Sequence, residues 1–257
     1  MTQAKPKARI YVTDDLCEGG VVSPQAEQAH YLSRVMRLGP GDAVSLFNGR
    51  DGEWQSVIGS VAKKSCTLIL GERRREQSNE PDLWLAFAPL KKNRTDFLVE
   101  KATELGVARL IPVFTDQTDT GRVRNDRLEQ IAIEAAEQCE RLSIPAVSGP
   151  LKLPDLLTDW PSDRTLLVGD ETGGGHPIAR VLRDLGNAAQ DNGPPLGLLI
   201  GPEGGFSRAE LDLLTKLPFS VFVGLGPRIL RAETAALAGL ACIQSLVGDW
   251  MQAPGSR

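Results

Sequence analysis

Two stretches near the C-terminal end, LLIGPEGGFSRAE (198–210) and VGLGPRILRAETAALA (223–238), follow one plan. Each opens with a short apolar run of strand type, stops at a loop containing Gly-Pro, and continues as a helix. Glycine allows close approach of backbone and unusual φ values, and proline stiffens the loop. Two such loops side by side surround a small ligand with bare N–H and C=O groups. A pocket of that kind suits a nucleoside cofactor and needs few special side chains.

The rest of the second half repeats the alternation. Strand-like runs at Leu83–Pro89, Arg109–Phe114, Thr165–Val168, Leu196–Ile200 and Ser220–Gly224 are joined by helical patterns at Asp96–Leu105, Arg127–Arg141, Pro177–Leu185, Ser207–Lys216 and Ala232–Val247. Such alternation predicts an α/β domain with a parallel sheet covered by helices. Ser207 and Glu210 spell a capping box at the start of one helix. Segments 145–163 and 186–195 read as loops. In an open parallel sheet, ligands bind beyond the carboxyl ends of the strands. The loops at Val168–Gly175, Gly201–Gly205 and Leu225–Ile229 are therefore expected at one edge.

Residues 9–75 have a different character, with short strands at Arg9–Val12, Ala43–Asn48, Glu53–Val61 and Cys66–Leu70 and a turn signal at Asp51-Gly52. One helix at Gln25–Arg37 is expected to turn Tyr31, Leu32, Val35 and Met36 toward a core. This pattern predicts a small β-barrel. The segment RRREQSNEP (73–81) reads as a linker.

The loops exclude several chemistries. The sequence contains no G-x-x-x-x-G-K-[ST] and no G-x-G-x-x-G after the first strand, which argues against P-loop and dinucleotide enzymes. G-x-S-x-G is absent too. Cys17, Cys66, Cys139 and Cys242 are scattered, and His30 and His176 are the only histidines, so no metal site is expected. The cysteine usage and the lack of an apolar leader point to the cytoplasm. The longest apolar stretch, Ala235–Val247, is interrupted by Gln244 and falls short of the roughly 20 residues a membrane span needs. Net charge is −4, but residues 1–125 carry +2 and 126–257 carry −6. An anionic polymer would have to be held by local basic clusters: Lys63-Lys64, Arg73–Arg75, Lys91-Lys92-Arg94 and Arg122-Arg124-Arg127.

GPEGGFS followed by LGPRILRAETA resembles the cofactor core of the SPOUT methyltransferases. More closely, the chain is similar to the 16S ribosomal RNA uridine N3-methyltransferase family of that superfamily. The likeness includes RIYV (9–12), HYLSRVMRLGPGD (30–42), LFNG (46–49), LKKNRTDFLVEKATELGV (90–107) and EAAEQCERLSIP (134–145). It implies a PUA-like RNA-binding barrel over 1–75 and, over 82–257, an S-adenosylmethionine domain with a deep trefoil knot. It also implies a homodimer with the pocket at its interface and 16S rRNA of the small subunit as partner. The same knot on another RNA, or a non-catalytic assembly factor, stand as alternatives. One departure is Thr115-Asp116-Gln117-Thr118, where many relatives carry an arginine; Arg122 or Arg124 are candidate substitutes.

The resemblance assigns roles to residues. Cofactor contacts fall on Gly169, Asp170, Glu171, Gly201, Pro202, Glu203, Gly204, Gly205, Leu225, Gly226, Ile229, Leu230, Thr234 and Ala235. The reaction is methyl transfer to uridine N3, so a cation must face the oxygens that gain charge as N3 loses its proton. Arg231 is the first choice and Arg228 the second, with a salt bridge from Arg231 to Glu233 as the structural alternative. Glu203 and Glu233 are the nearest carboxylates that could accept the proton. Phosphate contacts are expected from Arg9, Arg34, Arg37, Lys91, Lys92 and Arg94.

Overall fold

A computed structural model describes residues 5–62, 65–78, 80–119, 121–188 and 194–251; Lys63-Lys64 and the side chain of Lys92 lie outside the described residues. The chain divides into two compact units, one within residues 1–79 joined by Ala136–Ile144, the other formed by 80–135 and 145–257.

In the first unit, β1 (Ala8–Tyr11), β2 (Val21–Val22), β3 (Ala43–Phe47), β4 (Glu53–Val61) and β5 (Cys66–Arg75) form one sheet in the order β1-β3-β4-β5-β2. The β1–β3 pair is parallel and the others antiparallel. Alternate residues Ile10, Val44, Leu46, Ile58 and Leu68 turn inward to a core shared with Ala29 and Leu32. β5 runs on to Arg75, so the arginine cluster expected in a linker is strand instead. Its last residue is held there by pairing with Glu53.

The helix expected over 25–37 is a short α1 (Ala26–His30) that opens into a π-helical turn at Tyr31–Val35. Met36 N–H donates to Tyr31 O, five residues back. That wider turn puts Met36 rather than Val35 below Leu32. Leu32 is fully buried and Met36 packs on the core, whereas Tyr31 and Val35 are exposed. The inward assignment of those two residues is thereby corrected.

In the second unit every strand pair is parallel. Its strands are β6 (Leu83–Phe87), β7 (Arg109–Phe114), β8 (Ala146–Val147), β9 (Leu151–Lys152), β10 (Thr165–Gly169), β11 (His176–Pro177), β12 (Leu196–Ile200) and β13 (Ser220–Gly224). The sheet order is β11-β13-β10-β12-β6-β7-β8, with β9 also pairing with β7. The helices are α2 (Lys92–Glu104), α3 (Asn125–Cys139), α4 (Leu153–Thr158), α5 (Ile178–Ala188), α6 (Arg208–Thr215) and α7 (Ala232–Val247). Segment 145–163, expected as a loop, contains β8, β9 and α4. Each is too short to show a period, and each exists through pairing or packing on β7.

Both faces of this sheet are buried. Ala86, Ile111, Leu166, Val168 and Leu199 face α4 and α6 through Leu153, Leu156, Leu157 and Leu214. The opposite face meets α7, where Leu198 lies against Gly239. α7 packs in turn on α2 and α5. Gln244 interrupts the apolar run of α7 and is fully buried. Its amide donates to Leu105 O at 2.7 Å and accepts from Asp249 N at 3.1 Å, so the polar group is satisfied and joins the end of α2 to the end of α7.

Arg9, expected to face RNA, is engaged inside the first unit. Its guanidinium stacks 3.7 Å from the Phe47 ring centroid and pairs with Glu53 at 3.3 Å. It donates to Ala136 O at 2.8 Å and Arg141 O at 2.7 Å, carbonyls at and beyond the end of α3. Tyr11 N adds a bond to the Glu137 carboxylate. Burial lowers the proton affinity of this guanidinium from its ordinary value, an effect the Glu53 charge opposes. Nε, Nη1 and Nη2 each donate within the first unit and the side chain is only 10% exposed, so Arg9 is built into this unit rather than presented to phosphate. Arg9→Met is expected to lower the unfolding free energy by about 2 kcal/mol, because two carbonyls at and beyond the end of α3 lose their donor and Glu53 keeps only Arg75 of its two arginine partners. Equilibrium urea titration measures this, and an unchanged midpoint would count against the network.

Candidate functional site

β10 is hydrogen-bonded to β12 on one side and β13 on the other. The loops that leave these three strands therefore start at adjacent points of one sheet edge. They enclose a cavity of about 540 Å³, within the range of about 300–1,000 Å³ usual for small-molecule sites.

Most of the lining is backbone. Gly169, Asp170 and Glu171 come from the β10 loop; Gly201, Pro202, Glu203 and Gly205 from the β12 loop; Leu225, Gly226, Ile229 and Leu230 from the β13 loop. Arg228, Arg231 and Ala235 complete that side. Of the residues named from sequence, Gly204, Glu233 and Thr234 stand outside the lining. Gly204 instead faces Gln117, and Glu233 points back toward α2. Gly173, Gly175, Pro177, Ile200, Phe206, Gly224, Pro227 and Ala232 also line the cavity, and none was assigned a role from sequence. All but Pro177 lie within the two motifs or the Val168–Gly175 loop, so their neighbourhood was marked although their part in the lining was not.

Two glycines explain why the loops fit together. Gly205 has φ +73, and a Cβ there would lie on the Glu171 carboxylate. A Cβ on Gly175 would come within 2.7 Å of the Val223 carbonyl carbon and 2.8 Å of Gly224 N. The β10 loop is thus in backbone contact with the end of β13, and the β10 and β12 loops meet through Glu171 and Gly205.

The β12 loop ends at a capped helix. Ser207 Oγ accepts from Glu210 N, while the Glu210 carboxylate accepts from Ser207 N at 2.8 Å and from Asp116 N at 2.9 Å. Ser207 Oγ also donates to Asp116 at 2.6 Å. The segment 115–118 is packed on this helix start through Asp116. Arg124 pairs with Asp126 at 2.5 Å.

The electrostatics suit a ligand that carries positive charge. Asp170, Glu171 and Glu203 all reach the cavity. Burial against Gly205, followed by the neighbouring Asp170 charge, pushes the Glu171 carboxyl above its usual pKa. Arg228 and Arg231 also line the cavity, both exposed, with no ion-pair partner among the described residues. Arg231 is the N-cap residue of α7, and the bridge to Glu233 weighed from sequence is not formed. Glu233 instead pairs with Arg94 at 3.7 Å, and Arg94 also bonds Glu203 at 3.0 Å. Lys91 is exposed at the N-cap of α2; Arg34 and Arg37 are exposed in the first unit.

A cavity where glycine-bearing loops of three neighbouring parallel strands meet, with carboxylates and arginines both in its lining, fits the class of transferases that use a nucleoside cofactor. Family models make the class specific: residues 77–244 match an RNA methyltransferase domain and residues 24–71 an RNA methyltransferase PUA domain. A ribosomal RNA small subunit methyltransferase E from Rickettsia conorii is 31% identical over 93% of this chain and 95% of its own. One from Bacillus subtilis is 29% identical over 88% and 90%. The crystal structure of the Neisseria gonorrhoeae ribosomal RNA small subunit methyltransferase E, bound to S-adenosyl methionine, superposes with a TM-score of 0.83 at 26% identity, covering 95% of this chain and 99% of that one. A putative methyltransferase from Legionella pneumophila, in complex with the same cofactor, gives 0.81 at 27% identity over 96% and 100%. The chain belongs to the ribosomal RNA small subunit methyltransferase E family.

Gly175→Ala is expected to separate the β10 loop from β13, because the obstructing atoms are backbone and cannot rotate away. The predicted result is loss of ligand affinity with a folded chain, checked by calorimetry beside circular dichroism. Wild-type affinity in the variant would show that this loop contact does not shape the cavity.

Proposed function

We propose that this chain transfers a methyl group from S-adenosylmethionine to N3 of a uridine in the 16S rRNA of the small ribosomal subunit. The observation that carries the reading is the cavity itself. Three glycine-bearing loops offer backbone donors and acceptors for a nucleoside, Ile200, Leu225 and Leu230 give apolar walls, and carboxylates face the place a cation needs. S-adenosylmethionine, when bound, supplies the methyl group in activated, sulfonium-linked form.

The remaining work falls to side chains. Arg231 presents a planar fork suited to the oxygens of an imide edge, where charge develops as N3 is deprotonated. Arg228 stands beside it in the same lining. Glu203 is the nearer carboxylate for the N3 proton, since it reaches the cavity and Glu233 does not. Exposed Arg34 and Arg37, with Lys91, supply phosphate contacts, and the target base must leave its pairing to reach the cavity. The family's trefoil knot is in keeping with a sheet order that sets β10 between β12 and β13.

A homodimer completes the reading. Ile229, 86% exposed beside the cavity, and Trp250 and Met251 near the end of the described chain are apolar surface that a second copy would cover. No described helix is long and apolar enough to cross a membrane, and the reaction belongs in the cytoplasm with the ribosome.

Titration of S-adenosylmethionine into the wild-type chain tests the cofactor directly; no heat of binding would sink the assignment. With small subunits as substrate, Arg231→Ala is expected to lower turnover by about two orders of magnitude. Mass-spectrometric mapping of the product identifies the base. A methyl group elsewhere than uridine N3 would replace the proposed acceptor.

Cofactor affinity is expected to depend on pH through Glu171. Its carboxyl is raised above its ordinary value by burial and by the neighbouring Asp170 charge. A cation binds the ionised form better, so affinity falls as pH drops through that raised window. Glu171→Gln is expected to flatten the dependence, and a profile unaltered by this change would remove Glu171 from cofactor binding.

A further inference from the structure

We propose that Arg94 is a positioning residue that sets the spacing of the cofactor loops, and that it does not contact phosphate. The inference rests on the cavity being the S-adenosylmethionine site. Arg94 lies in the first turn of α2, and its guanidinium meets two carboxylates from two separate elements: Glu203 of the β12 loop at 3.0 Å through Nη1 and Glu233 of α7 at 3.7 Å through Nε. A guanidinium already facing two carboxylates has little net charge to offer an RNA backbone.

The two acids are the ones that matter for shape. Glu203 lies in the middle of the Gly201–Gly205 loop and lines the cavity. Glu233 lies in the first turn of α7, two residues beyond Arg231, so holding Glu233 holds the backbone from which Arg231 projects. Glu233 is only 14% exposed, and its Oε2 is buried with no hydrogen-bond partner among the described residues. Without Arg94 it would be a largely buried carboxylate with no cation, which the first turn of α7 could relieve only by moving toward water.

The support for Arg94 is itself fixed. Thr95 Oγ1 donates to Leu90 O at 3.0 Å and accepts from Leu90 N at 2.9 Å, which pins the start of α2 to the end of β6. Asp96 pairs with Arg127 of α3 at 2.9 Å. One arginine on an anchored helix thus ties the β12 loop to the first turn of α7, the helix that continues from the β13 loop.

The test compares Arg94→Gln and Arg94→Lys in the full chain. It reads S-adenosylmethionine affinity, RNA affinity with its salt dependence, and thermal midpoint. Arg94→Gln is expected to weaken S-adenosylmethionine on the order of tenfold. RNA affinity should stay within about twofold, with its salt slope unchanged. Arg94→Lys should recover part of the loss, since a point charge serves one carboxylate better than two. Adding Glu233→Gln to Arg94→Gln should cost less than the separate effects together.

Two results overturn the proposal. One is weaker RNA binding with a salt slope smaller by about one and cofactor affinity intact, which would make Arg94 a phosphate contact. The other is a lower thermal midpoint with both affinities intact, which would make it a stabilising ion pair only. Should Arg94→Gln not fold, Glu203→Gln probes the same clamp from the loop side: cofactor affinity is expected to fall severalfold, and an unchanged value overturns the idea. Failure of the wild type to bind S-adenosylmethionine is a separate result and overturns the function on which this inference rests.

Discussion

The site depends on where β10 sits. Hydrogen-bonded between β12 and β13, it brings together three strand ends that are separated by about 25 to 55 residues of sequence. Everything chemical in the second unit follows from that adjacency. The loops touch because the strands are neighbours; they touch closely because Gly175 and Gly205 carry no Cβ. Parallel pairing requires crossovers, and α5 and α6 lie in those that lead into β12 and β13. A nucleoside-sized cavity is left at the edge because backbone, rather than side chain, fills the approach.

The two units manage charge in a similar way. In each, an arginine that would look surface-seeking in the sequence is held by acceptors distant along the chain. Arg9 reaches Ala136 O and Arg141 O, and Arg94 reaches Glu203 and Glu233. A basic residue type does not reveal its partner, since the partner lies more than 100 residues away. Of the residues proposed to face phosphate, Arg34, Arg37 and Lys91 are exposed.

The large periodic elements were legible. Leu196–Ile200, Ser220–Gly224, Arg109–Phe114 and Ala232–Val247 have the observed limits because apolar runs and helical periods report burial directly. The capping box was legible because its four residues are local. What lay beyond reach depends on tertiary partners. β8 and β9 have two residues each and no intrinsic pattern. α2 begins at Lys92, four residues before the apolar spacing starts, because its first turn is polar and anchored by Thr95. The π-helical turn changes which residue follows Leu32 into the core, and no helical period contains that information. In the site, the glycine loops were visible as spelling, whereas Phe206 and Ile200 enter the lining through the direction in which their strands and loops turn.

A cavity walled by main chain has its own evolutionary character. Amide and carbonyl groups are the same whatever residue carries them, so most substitutions around such a site leave the chemistry presented to a cofactor intact. The information is held instead by the few places where a methyl group cannot be tolerated, Gly175 and Gly205 among them. Recognition is then encoded as forbidden volume. A lineage can rewrite much of the surrounding sequence while the site endures, provided those small vacancies in the alphabet are kept.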